Sequence, residues 1–103
     1  MQIQELTESN FHLLQDGPAM VVAKAPWCGP CKSQQPTIEA VAAKMAGKVK
    51  VFTLDTDVQQ TLASRQNIRG LPTYMFFSHG QRVATLVGAA VESDLLQHCT
   101  NIL

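Results

Sequence analysis

The sequence predicts an α/β protein: a central mixed five-stranded sheet with four flanking helices. Three observations carry that expectation. Short apolar runs of strand length alternate with helix-periodic segments, a two-residue hairpin signal follows at His79-Gly80, and an amphipathic segment closes the chain. The alternating part calls for crossover connections, and the hairpin calls for an antiparallel pair. At 103 residues the chain is long enough to close one hydrophobic core and too short for two, so residues 1–103 are expected to form one domain.

The expected order is strand, helix, strand, helix, strand, helix, strand, strand, helix, with no bounds assigned to the first strand. Thr7 is the expected N-cap of a short helix that buries Phe11 and Leu14 and stops at Asp16-Gly17-Pro18. Ala19 to Ala25, apolar except for Lys24, reads as a strand buried on both faces. From Gly29 to about Ala46 apolar residues recur at helical spacing, with Ile38, Val41, Ala42 and Met45 on one stripe. Pro30 suits the first turn of that helix, whereas Pro36 lies deeper, where it removes a donor and should kink the helix. Lys48 to Leu54 is the next strand and Val58 to about Arg65 a short helix. Thr73 to Ser78 and Gln81 to Val87 are the two arms of the hairpin. Val91 to Ile102 is the closing helix, with Val91, Leu95, Cys99 and Ile102 on its apolar stripe.

Composition narrows the function classes. Hydrophobic residues make up 46% of the chain and charged ones 16%, as in an ordinary globular domain. Eight basic residues balance eight acidic ones, so no strong net field draws the chain to nucleic acid or an anionic membrane. The longest apolar run, Ala19 to Ala23, is far short of the roughly 20 residues a membrane-spanning helix needs. Met1 to Leu6 does not lead a basic segment into an apolar one, so a cytoplasmic location is expected. Three cysteines are too few for a structural disulfide framework and suit a reducing compartment, in which Cys28 and Cys31 would cycle between dithiol and disulfide.

That pair carries the chemistry. Cys28 lies just beyond a central strand and at the mouth of the following helix, where open α/β sheets usually hold their sites. A helix N-terminus favours negative charge, which makes Cys28 the better thiolate. Its sulfur precedes the helix and is expected to face solvent, while Cys31 sits one turn inside. Cys28 is therefore read as the attacking thiol and Cys31 as the resolving one. A Cys-x-x-Cys pair is also half of many zinc sites, but the other half is missing: there is no second such pair, and His98 and Cys99 lie on a distant helix.

The segment Ala25-Pro26-Trp27-Cys28-Gly29-Pro30-Cys31-Lys32 resembles the thioredoxin active-site signature almost letter for letter. The likeness extends to Pro36, Asp57, the run Ile68-Arg69-Gly70-Leu71-Pro72-Thr73, Gly80 and Gly88. It implies the thioredoxin fold and a protein-disulfide reductase with no bound cofactor. Electrons would come ultimately from NADPH through thioredoxin reductase, and the other partners would be oxidised client proteins. The resemblance also implies Trp27 beside the nucleophile, Gly29 and Pro30 shaping the loop, and a cis peptide before Pro72. Trp27, Leu71, Pro72 and Gly88 would then form the client-binding face of a chain acting as a monomer. A cis bond there would turn the Leu71 backbone toward an extended client segment added as a strand; an ordinary trans strand start is the competing reading.

The chain departs from the family at two places. Where thioredoxins usually carry a buried aspartate with a lysine partner on the neighbouring strand, it has Val22 and Thr53. Losing the pair as a unit is physically coherent, because one member alone would be an unpaired buried charge. The expected consequence is a slow resolving step, since Cys31 must still shed a proton. Lys24 stands where thioredoxins commonly have a tryptophan, and it is expected to pair with Asp57 beneath the loop and lower the pKa of Cys28. A solvated lysine at the strand end is the alternative. Cys99 reads as a buried, inert thiol, and His12, His79 and His98 as surface or hairpin residues.

Two rival functions remain. An oxidant or isomerase would carry a higher potential and usually an export signal. A specialised binding or redox module with a narrow client range and a slow resolving step would use the same fold.

Overall fold

The computed structural model describes residues 3–103; Met1 and Gln2, which fall within the expected 1–103 domain, lie outside the described residues. Five strands form one sheet: β1 (Ile3–Glu5), β2 (Pro18–Lys24), β3 (Lys50–Asp55), β4 (Thr73–Ser78) and β5 (Gln81–Val87). Their order is β1-β3-β2-β4-β5. β3 is parallel to both β1 and β2, β4 is antiparallel to β2, and β5 is antiparallel to β4. The mixed sheet is therefore as expected. β2 lies at its centre, and Ala19 to Ala23 are at most 1% exposed, which explains why that strand is apolar on both faces instead of alternating.

Three α-helices cover the sheet: α1 (Gly29–Lys44), α2 (Gln60–Arg65) and α3 (Glu92–Asn101). On one face Met20, Val22, Val51, Tyr74 and Phe76 pack against Ile38, Val41 and Ala42 of α1 and Leu95 and Cys99 of α3. On the other, Val21, Ala23, Phe52, Leu54, Met75 and Phe77 pack against Leu6, Leu14 and Leu62 of α2. The β4–β5 turn places His79 and Gly80 at φ 49° and 85°, the left-handed pair that a two-residue hairpin loop requires. Among the described residues, no helix is long and apolar enough to cross a membrane.

Several boundaries differ from expectation for local reasons. The fourth helix is a 3-10 helix over Phe11–Asp16, and Thr7 does not cap it. The Asn10 side chain is committed to the preceding turn, where its Oδ1 accepts from the Thr7 N–H at 2.7 Å and its Nδ2 donates to the Glu5 carbonyl at 2.8 Å. Leu14 is buried there, and Phe11 is half-buried. The Lys48 and Val49 N–H groups both donate to the Met45 carbonyl, closing α1, so β3 begins at Lys50 and not at Lys48. Oδ1 of Asp55 accepts from the N–H groups of Asp57 and Val58, which ties Val58 into a turn and starts α2 at Gln60. Val91 lies on the expected stripe of the last helix but is exposed: its carbonyl accepts from Asp94 and Leu95, and its side chain points away from the core. Pro36 sits inside α1, which runs as one element from Gly29 to Lys44.

Candidate active site

β2 delivers the chain to Lys24, and Ala25-Pro26-Trp27 carries it over the end of the sheet into α1. Cys28 is the N-cap of that helix, in an extended conformation. Its N–H donates to the Ala25 carbonyl at 3.1 Å, and its Sγ accepts from the Cys31 N–H at 3.2 Å. A sulfur in that position occupies the place of a capping oxygen, so a thiolate there gains the helix-end N–H and the helix dipole together. Pro30 stands in the first turn, where its missing donor costs nothing. Cys28 and Cys31 are joined as a disulfide with their Cα atoms 5.3 Å apart.

The two cysteines are almost equally buried, Cys28 at 4% and Cys31 at 3% exposure, which corrects the expectation that Cys28 faces solvent. What separates them is the cavity each lines. Cys28 opens onto a groove of about 560 Å³ between Trp27, Gly29 and Pro30 on one side and Ile68 to Leu71 on the other. Cys31 opens onto a different cavity, of about 510 Å³, shared with Lys24, Gln35, Thr53 and Asp55. Spacing alone cannot show this division, because it depends on which strand ends surround the loop.

Leu71 packs against Ala25, Cys28 and Cys31, and the Leu71–Pro72 peptide is cis, as the resemblance implied. Pro72 is buried. Gly88, at φ 95°, donates its N–H to the Pro72 carbonyl at 2.7 Å, so the first residue after β5 holds the segment beside the disulfide. Trp27 is 69% exposed, and its Nε1 donates to both carboxylate oxygens of Asp57 at 3.0 and 3.2 Å. Asp57 therefore engages Trp27, and the expected Lys24–Asp57 ion pair is absent. Lys24 instead lines the cavity of Cys31, and its Nζ donates to Gln35 Oε1 of α1 at 3.3 Å. The parallel register explains the Trp27–Asp57 pairing: Lys24 lies beside Asp55, so the residues just past the two strand ends meet.

Val22 and Thr53 are register partners on β2 and β3. Val22 is fully buried and Thr53 nearly so, which places an uncharged pair where the family's charged one is expected. Cys99 is fully buried in the core against α1, and burial pushes its thiol up to about 11. It belongs to a different cluster from Cys28 and Cys31. Tyr74 is pushed up to about 12 by burial, and its hydroxyl donates to Gln34 Oε1, which also accepts from the Ala90 N–H. His98 stacks on Phe76 with ring centroids 4.9 Å apart, and the histidines take no part in the disulfide site.

A redox-active Cys-x-x-Cys pair capping a helix at the end of the central strand, faced by a cis-proline segment, defines a thiol–disulfide oxidoreductase. The thioredoxin family model matches residues 2–101. The chain is 40% identical over 96 residues to thioredoxin 1 of Nostoc sp., covering 90% of each. It is 39% identical over 97 residues to the chloroplastic M-type thioredoxin of Spinacia oleracea, with 91% of this chain matched, and spans 54% of that longer protein. The solved structure of Malassezia sympodialis thioredoxin superposes with a TM-score of 0.87 at 32% identity, covering 99% of this chain and 90% of that one. The chain belongs to the thioredoxin family, and its reaction class is the reduction of protein disulfides by dithiol exchange.

Proposed function

We propose that residues 1–103 act as one thioredoxin domain in which Cys28 is the attacking thiol and Cys31 the resolving one. The single observation that carries this assignment is the division of the two cavities: only Cys28 lines the groove that a client segment can enter. A Cys28 thiolate attacks a client disulfide, releasing one client sulfur as a thiol and leaving the other bound to Cys28. Cys31 then attacks Cys28, releases the second client thiol and closes the Cys28–Cys31 disulfide. Exposed Trp27 supplies an apolar docking face, oriented by Asp57, while Gly29 and Pro30 shape the near wall. Leu71 and Pro72, held by Gly88, offer backbone to an extended client.

Thioredoxin reductase returns the disulfide to the dithiol with electrons from NADPH, and the protein binds no cofactor of its own. It works as a monomer in the cytoplasm, a setting in which a free thiol such as Cys99 persists. The experiment combines the purified protein with NADPH, a thioredoxin reductase and insulin, and follows NADPH oxidation together with insulin precipitation. Turnover is expected, lost in Cys28→Ser. Cys31→Ser is expected to accumulate a client adduct on Cys28. Adducts that form on Cys31 in the Cys28→Ser protein instead would overturn the assignment.

A further inference from the structure

The cavity beside Cys31 is walled by Lys24 from β2, Thr53 and Asp55 from β3, Glu5 from β1 and Gln35 from α1. The sheet register explains the grouping. Glu5, Thr53 and Val22 lie in one row across three parallel strands, and Asp55 and Lys24 lie in the row two residues further on. Side chains two residues apart on a strand leave the same face, so all of these project toward α1 and its Cys31. Val22 and Thr53 leave the buried part of the first row uncharged, with its one charge the exposed Glu5 on β1; the second row, at the ends of β2 and β3 where the cavity opens, carries Lys24 and Asp55.

Of the two cations that line this cavity, Lys24 and Lys32, Lys24 is the one held by a side-chain hydrogen bond, and it has no direct counter-ion among the described residues. It is half-buried, and its ammonium donates to Gln35 Oε1. Gln35 is itself oriented, because its Nε2 donates to Glu39 Oε2 at 3.1 Å and so turns the amide oxygen toward Lys24. Among the described residues the ion pairs are Lys44–Glu92, Lys50–Asp16 and Arg65–Glu8, and none involves Lys24. Asp55 is half-buried beside it, with Oδ1 engaged by the Asp57 and Val58 N–H groups. Glu5 from β1 and Lys32 from α1 are both exposed, where water screens them.

The geometry points to Lys24 as the positioning residue of the resolving step: its ammonium favours the thiolate of Cys31, and the cavity carries the released proton to solvent. This rests on the assignment of Cys31 as the resolving thiol. Cys31 is only 3% exposed, and a thiol so buried is disfavoured as an anion unless a positive charge faces it. In the step itself the Cys31 S–H proton passes to water in the cavity, and the thiolate forms a bond to Cys28 Sγ. The Cys28–client bond breaks, the client sulfur leaves with the electron pair, and it is protonated by solvent. The cysteine pair is oxidised and the client reduced, with no further reactant.

The test measures decay of a preformed Cys28–client mixed disulfide against pH by rapid mixing, for the natural protein, Lys24→Met, Lys24→Arg and Lys32→Met. In Lys24→Met the pH midpoint of decay should rise by roughly half a unit or more, slowing the step about threefold below the midpoint. Lys24→Arg, which keeps the charge, should stay near the natural midpoint, and Lys32→Met should move it less than Lys24→Met does. A Lys24→Met midpoint coinciding with the natural one overturns the inference, as does a Lys24→Arg protein that shifts as far as Lys24→Met. A second reading, independent of turnover, is the absorbance titration of the Cys31 thiolate in Cys28→Ser with and without Lys24→Met, where no upward shift likewise overturns it. Failure of the role assignment looks different: it appears as client adducts trapped on Cys31, whatever residue occupies position 24.

Discussion

Asp57 is the side chain whose function the structure changes most. Its two carboxylate oxygens both accept from Trp27 Nε1 on an exposed surface, so it fixes the orientation of the indole we propose as a docking face and does not neutralise Lys24. Removing it should leave the chemistry intact and loosen client docking. In Asp57→Ala, KM for a protein client is expected to rise about two- to fivefold at unchanged kcat, the range of an exposed charge-assisted hydrogen bond. Trp27 is the sole tryptophan, so its fluorescence reports directly on this contact. Steady-state anisotropy should fall in the variant as the ring gains freedom, and an unchanged anisotropy with unchanged KM would show that the carboxylate orients nothing. The Trp27–Asp57 contact spans 30 residues of chain, and only the parallel register of β2 and β3 makes it foreseeable. Charge complementarity in the sequence points Asp57 to Lys24, whereas the fold turns the lysine to Gln35 and leaves the carboxylate to Trp27.

The β2–β3 pair is the element in which the chain's departure from its family is resolved. Val22 and Thr53 face one another in register, with Tyr74 of β4 opposite Val22 on the other side. A carboxylate at position 22 would stand in the buried cluster that holds Met20, Ile38, Val41 and Tyr74 and contains no cation. Val22→Asp should therefore destabilise the fold by roughly 3 kcal/mol or more, as unpaired buried charges do. Adding Thr53→Lys should recover about 1 kcal/mol or more of that, because the register brings the two positions together. Urea unfolding of the two single variants and the double variant measures the coupling; strictly additive losses would mean the two positions do not share an environment. Elements of this kind were legible where periodicity was strong: β2, α1, the β4–β5 hairpin and α3 are all close to their expected bounds. They were less legible where a side chain diverted the backbone, as Asn10 does before the 3-10 helix and Asp55 does before α2. No hydrophobic pattern records such a local hydrogen bond.

At the scale of the whole molecule, chain length leads to the expectation of one core, but a sheet covered on both faces separates two, and the two strongly raised titrations both belong to the core against α1 and α3. The cysteine motif, the mixed sheet and the cis-proline segment could all be read from residues near one another in sequence or from the family's signature. The division of the site into a groove at Cys28 and a separate polar cavity at Cys31 could not, since it depends on four strand ends meeting one helix start. The same layering makes alkaline pH a probe of one core. Cys99 rises from 9.0 when unfolded to about 11 when folded, and Tyr74 from 10.0 to about 12, both through burial. Both are neutral when protonated, so the folded state retains protons that the unfolded state has already released. Their contribution to stability is complete below pH 9.0, and Cys99 begins to lose its share above that point as pH rises toward about 11. Each such proton steepens the loss by up to about 1.4 kcal/mol per pH unit. For the oxidised protein the urea midpoint should hold to about pH 9 and then fall, whereas in Cys99→Ala the first part of that fall should disappear and the decline should begin closer to pH 10, where Tyr74 takes over. Identical slopes for the two proteins between pH 9 and 10 would mean that Cys99 titrates no later in the fold than in the unfolded chain, and that this core does not hold its thiol away from water.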